Sequence, residues 1–261
     1  MTKGCIKFLK GLLALIVLLL TGFNISCADE VPDRLSVAVP SAEEESDYIW
    51  RTLQDIKFFE EQNYQLSLPK GFLIEELKAK AKVNALSEED YERLKMFVRD
   101  SVYNRKDYQE GYHKIEQRLE LVNRMIDEIS KSSFNWNFKV FERYQINLTL
   151  YGPGGSYDPN EGSLLIFTSP TGQFKNYEDP ACTIIHEIVH IGMEESLINK
   201  FQVPHTLKER IVDAFVFLSF KDVLTEYRVQ EMGENRADEY LKEKKDLKNL
   251  NATLKTILEP H

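Results

Sequence analysis

The chain has 261 residues, 43% of them hydrophobic and 29% charged, which suits one sizeable globular domain or a domain with an appendage. Its formal net charge is −9 and no long lysine/arginine run interrupts that balance. This argues against nucleic acid as a partner, because phosphate binding needs a basic patch.

Lys3, Lys7 and Lys10 surround the start of an apolar run, GLLALIVLLL (11–20), and TGFNISCA follows. This is the pattern of a secretory signal peptide over residues 1–28. The run is short for a spanning helix, which needs about 20 residues. Two processing routes fit. A cut after Ala28 uses the small residues before Asp29. Alternatively Cys27 is lipidated, as in bacterial lipoproteins, although Asn24 stands where such signals usually carry leucine. Either route predicts an exported protein, whether periplasmic, extracellular or a cell-envelope lipoprotein. The second adds membrane attachment through a lipid on Cys27. Removing residues 1–28, which carry three lysines and no acid, takes the charge from −9 to −12. It also leaves Cys182 alone in the fold region, so an internal disulfide framework is not expected.

Residues 29–45 (DEVPDRLSVAVPSAEEE) are polar, with two prolines and an acidic run, and read as a flexible tether. A helical region over 46–132 follows. Ile49, Leu53, Ile56 and Phe59 recur at helical spacing, and a second helix is predicted at 72–83, after Pro69-Lys70-Gly71. Ser87-Glu88-Glu89-Asp90 opens a third as a near capping box. Residues 106–131 read as one long amphipathic helix, with His113 on its solvated face.

The texture then changes. FKVFERY (138–144), INLTLYG (146–152) and SLLIFTS (163–169) are rich in β-branched and aromatic residues and predict a small sheet, with PGGSYDPNEG (153–162) as a turn-rich loop. Helix returns at Pro180, with Asp179 as N-cap, and runs to about Lys200. VPH (203–205) breaks the chain before a helix over about 205–221. The tail, 223–261, is charged and helical. The fold class is therefore α+β, with a mixed core over 133–222.

The helix from Pro180 carries HEIVH, residues 186–190. Residues four apart share a helix face, so His186 and His190 can reach one metal ion, while Glu187 points beside it, where a general base would stand. The flanking residues, ACTII and IGM, are almost all apolar or small, so the helix is expected to be buried. Burying two imidazoles and a carboxylate without partners is costly, and a metal satisfies all three. Met193 and Ser196 occupy the positions where a metzincin has its glycine and third histidine, which excludes that variant. Eighteen residues lie between His190 and Glu209, and Asp213 follows four residues later in HTLKERIVDAF. Beside the apolar stripe Leu207, Ile211, Phe215 and Leu218, these carboxylates continue into Val216 and Phe220, an otherwise apolar face where buried, partnered groups are expected.

H-E-x-x-H followed by E-x-x-x-D on a second helix resembles the gluzincins, the thermolysin-like superfamily of zinc metallopeptidases. The resemblance covers about 75 residues, from the strand near 146 to the end of the second helix. It implies a zincin-like core, Zn2+ held by His186, His190 and Glu209, Asp213 orienting a ligating histidine, and Glu187 as general base. It implies a peptide or protein substrate, paired with an edge strand for which Ser163 to Ser169 is the candidate. It also implies a histidine or tyrosine that steadies the oxyanion. His205, four residues before Glu209, is the first candidate, and Tyr157 and Tyr227 are rivals. Glu194 and Glu195 read as surface charges, and Cys182 as a small buried hydrophobe. The competing reading, of a different class, is an exported zinc-containing binding or scaffold protein with a catalytically silent site.

Overall fold

The computed structural model describes residues 32–230 and 234–259. The leader, Cys27 and the start of the tether lie outside the described residues. The rest of the tether is ordered, which corrects the expectation for 29–45. Leu35–Ala38 forms strand β1, and helix α1 begins at Ala42. The acidic run that reads as a solvated linker is the first turn of that helix. Ser41 and Glu44 close a reciprocal capping box, and Glu43, Glu44 and Glu45 face the positive end of the helix dipole.

The described residues form a mixed α+β structure. Its sheet holds β1, β2 (Tyr144–Thr149), β3 (Gly155–Asp158) and β4 (Ser163–Phe167), in the order β1-β2-β4-β3. β1, β2 and β4 run parallel, and β3 runs antiparallel to β4. The segment Ser163 to Ser169 is therefore not an edge: β4 lies between β2 and β3. Leu164, Leu165 and Ile166 are buried in succession, as in a strand covered on both faces. The edge beside the helices is β3, cut from the stretch that reads as a turn-rich loop. FKVFERY also falls short of a strand, since pairing starts only at Tyr144. Phe138 turns inward instead. It packs with Phe134, Trp136 and Phe215 and lies so close to Gly192 that a Cβ there would sit 2.1 Å from its ring.

Between β1 and β2 the chain is helical: α1 (Ala42–Gln54), α2 (Ile56–Glu61), α3 (Phe72–Lys82), α4 (Glu88–Phe97), α5 (Gln109–Glu116) and α6 (Leu119–Lys131). α4 opens on the Ser87–Asp90 capping box. The long helix predicted over 106–131 is broken at Gln117 and Arg118, so α5 and α6 pack independently. Ile49, Leu53, Ile74, Leu77, Leu94 and Val98 make a small core between α1, α3 and α4. Buried Glu45 ties α1 to the end of β2, accepting from Leu150 N–H at 2.9 Å and Thr149 Oγ1 at 3.1 Å. Burial pushes its carboxyl up to about 7.

The main core lies between the sheet and α6, α7 (Pro180–Met193) and α8 (His205–Phe220). The tail closes over it, with Leu247, and Leu250, Leu254 and Ile257 of α9 (Leu250–Leu258), buried. Trp136 Nε1 donates to Leu247 O at 2.9 Å, which fixes the tail to the body. Among the described residues, no helix is long and apolar enough to cross a membrane.

Candidate functional site

α7 starts where its residues dictate. Asp179 accepts from Ala181 N–H at 3.0 Å, Pro180 takes the first helical position, and Arg118 holds the cap carboxylate at 3.0 Å. Every residue from Pro180 to Met193 is buried. Each isoleucine or valine so buried stabilises the fold by about 1.5–3 kcal/mol. The helix is thus a fixed rod in the core, and its three polar motif residues are placed by that rod.

His186 and His190 project from one face, and Glu209 of α8 comes to meet them. His186 Nε2 and His190 Nε2 stand 3.0 Å apart, and Glu209 Oε2 lies 3.5 Å from the first and 3.3 Å from the second. Among the described residues, these three form a group of side chains able to hold a metal ion. Their separations fit a tetrahedral ion: ligand atoms about 2.0–2.1 Å from zinc stand about 3.3 Å from one another. The donor set, two imidazoles and one carboxylate, is one that zinc and other first-row divalent metals take.

The hydrogen bonds behind the triangle fix which nitrogen faces it. Tyr227 O–H donates to Asp213 Oδ1 at 2.8 Å, so its oxygen accepts from His186 Nδ1–H, also at 2.8 Å. Asp213 Oδ1 is itself 3.3 Å from that nitrogen. With the proton on Nδ1, the Nε2 lone pair points at His190 and Glu209. Asp213 is held in turn by Gln230, through its backbone N–H at 2.9 Å and its side-chain amide at 3.3 Å. Burial opposes charge on all these groups, yet mutual attraction wins. Hydrogen bonds to Asp213 and Glu209 raise His186 to about 10, His190 and His186 hold Glu209 well below the usual carboxylate range, and His186 lowers Asp213. The His186 imidazolium is thus the counter-ion of the two carboxylates, and holding a metal through Nε2 requires that proton to leave.

Glu187 stands beside the triangle and faces a cleft of about 550 Å³. The absence of a side chain at Gly155, in β3, makes its position possible: a Cβ there would lie 2.2 Å from Glu187 Oε1. The carboxylate has no hydrogen-bond partner among the described residues, and burial raises its pKa, which makes it a stronger base. β3 supplies the next wall too. The Tyr157 ring stacks on His190 at 4.9 Å and 10°, and its hydroxyl donates to Glu194 Oε2 at 2.8 Å. Glu194 is thus a partly buried partner of the site, not a free surface charge.

His205 stands at the mouth, outside the ligand group. Its Nδ1 is 3.6 Å from Glu209 Oε1 and its Nε2 is 3.1 Å from Tyr64 O–H. Burial lowers its pKa. Phe58 and Phe59 extend this wall, so the first helices of the chain form one side of the cleft. Of the three oxyanion candidates, Tyr227 is enclosed behind the triangle and the Tyr157 hydroxyl is engaged by Glu194. His205, paired with Tyr64, remains open to the cleft. Cys182 is a buried free thiol whose nearest polar partner is Glu226, and burial pushes its pKa up.

The structure thus brings together His186, Glu187, His190, Glu209, Asp213 and His205. It places Ser163 to Ser169 away from the edge that borders the site. Tyr64, Gln230 and the orienting role of Tyr227 carry no local sequence signal, because all three come from loops outside the motif helices. Comparison with protein-family models, curated proteins and solved structures finds no match to this chain.

Proposed function

We propose that this protein is a zinc-dependent metallopeptidase with a zincin-like core of the gluzincin type. The observation that carries the reading is the triangle of His186 Nε2, His190 Nε2 and Glu209 Oε2 with Glu187 beside it at the base of an open cleft. A purely structural zinc site takes four protein ligands and has no use for an adjacent carboxylate. Here three ligands face a cleft, and a second carboxylate, Glu187, stands next to them without a hydrogen-bond partner.

Zinc held by His186, His190 and Glu209 would supply Lewis acidity, polarising a scissile carbonyl and lowering the pKa of a water molecule toward neutrality. The chain's own residues do the rest. Glu187 takes the proton of the attacking water and delivers it to the leaving nitrogen. Asp213 and Tyr227 hold His186 in the tautomer that presents Nε2. His205, backed by Tyr64, donates to the oxygen on which negative charge develops. β3 is the exposed edge that borders this chemistry, and it offers backbone groups to an extended peptide. The composition of residues 1–28 supports export, either with a lipid on Cys27 as an attachment point or as a soluble protein cut after Ala28.

The test is Glu187→Gln. The wild type is expected to bind about one equivalent of zinc and cleave members of a broad peptide library, and the variant to keep the zinc and lose cleavage. Retention of full cleavage by the variant would remove Glu187 from the mechanism. Zinc binding without any hydrolysis by the wild type would favour the silent, scaffold-type alternative.

A further inference from the structure

We infer that the ligand of this cleft is anionic: a peptide carrying a carboxylate, from a chain terminus or an Asp or Glu side chain, met by Lys175 and Lys208. The inference rests on the metallopeptidase reading for the location of the scissile bond and deepens it by naming the substrate class.

The carboxylates that line the cleft are Glu187 and Glu209, and the cationic side chains are Lys175 and Lys208. A divalent ion on His186, His190 and Glu209 offsets both carboxylates, which leaves the two ammonium charges uncompensated. Glu194 shares the Tyr157 hydroxyl with Lys208 and takes part of one of them. Asp213, behind His186, offsets a further unit, so the attraction for an anion is local to the two ammonium groups rather than a field of the whole cleft.

The second observation is what the two lysines touch. Lys208 Nζ donates to Tyr157 O–H at 3.1 Å and lies over the same ring. Lys175 Nζ donates to Gln65 O and to Gly152 O, the latter at 2.7 Å. Neither forms an ion pair among the described residues. Lys175 is half-buried, and that burial lowers its pKa to about 8. An ammonium held by two neutral carbonyls and the face of Phe167, and taken partly out of water, gains from an incoming anion more than an exposed one does.

The third is placement: the Lys175 stem packs against Gly154, the residue before β3, whereas Lys208 lies over the ring of Tyr157, within it. Gly155, between them, is the residue pressed against Glu187. Both lysines and Glu187 line the same cleft, with the Lys175 stem on the N-terminal side of Gly155 and the Lys208 ammonium at the tip of the Tyr157 side chain. A peptide laid on β3 with its reacting bond at Glu187 lies in the cleft that both lysines line.

The experiment measures binding and cleavage separately. Zinc-loaded Glu187→Gln protein is titrated calorimetrically with blocked tetrapeptides bearing Glu or Gln at each position, and with the same peptides as free acids or C-terminal amides. Carboxylate-bearing peptides are expected to bind about tenfold tighter than their amide counterparts, the scale of a charge-assisted hydrogen bond. The Glu/Gln and acid/amide arms identify which carboxylate is read. Lys208→Met, added to this background, should reduce the preference toward unity. Lys175→Met should do the same, but because Lys175 ties two loops, its thermal melting is compared first and Lys208→Met carries the test if it unfolds. Equal binding of acids and amides, or a preference that survives Lys208→Met, overturns the inference. Wild-type hydrolysis without charge preference overturns it while the peptidase reading stands. Lysine-dependent binding of acidic peptides that the wild type never cleaves keeps the anionic cleft and ends the peptidase reading.

Discussion

The two histidines of the motif share one helix face but are held by opposite means. Behind His186 the site is closed: Tyr227, Asp213 and Gln230 form a chain of hydrogen bonds that fixes the ring's tautomer and angle. In front of His190 it is open, and the ring is steadied by a stacked tyrosine from an edge strand, with Lys208 on that tyrosine's hydroxyl and Lys175 elsewhere on the cleft wall. The back half is a frame whose polar groups are all spoken for by one another. The front half keeps donors and charges that a ligand can use. The contrast says where to expect loss of metal and where to expect loss of turnover.

Glu187→Gln, on the front side, removes the base and should lower cleavage by about 10²–10⁴-fold, with zinc content unchanged by elemental analysis. Gly155→Ala comes next. It places a methyl group against Glu187 Oε1, so the carboxylate must move. Misplacement of about 1 Å can cost about 10²-fold, so steady-state kinetics should show a lowered kcat at full zinc occupancy. On the back side, Tyr227→Phe removes the hydroxyl between Asp213 and His186. It should weaken zinc binding by about 10–100-fold in a chelator competition, while kcat at saturating zinc changes less. Were Tyr227→Phe to lower kcat and leave zinc affinity intact, the division into frame and mouth would fail.

A last prediction leaves the site's chemistry alone. The Glu45 carboxyl is raised from 4.5 to about 7 in the folded protein, so the fold holds its proton more tightly than the unfolded chain does. This contribution to stability is complete below pH 4.5 and is lost as pH rises through 7, by at most about 3 kcal/mol. Urea unfolding across that window should show the slope, and Glu45→Gln should flatten it.

The frame was partly legible in the sequence and the mouth was much less so. HEIVH, its Asp179-Pro180 start and the E-x-x-x-D spacing are local signals, and each stands in the structure as read: α7 begins at Pro180, α8 begins at His205, and Glu209 meets both rings. The sheet order is not local. Nothing in SLLIFTS says that it pairs on both sides, and nothing in GSYD says that it forms the edge. Tyr64 reaches His205 across 141 positions, and Tyr227 and Gln230 reach back from a loop with no periodicity. The acidic stretch before Asp47 misleads for a different reason. Composition favours a linker, but Ser41 and Glu44 turn the same acids into a helix start, and Leu35 and Val37 pair with β2.

The measurement closest to the centre of the account is the metal content of the protein purified without chelators or added metal, set beside that of Glu209→Ala. The account expects about one zinc per wild-type chain and a loss of most of it when the third ligand is removed. A folded wild-type protein that holds no zinc, and takes none up on addition, would contradict it.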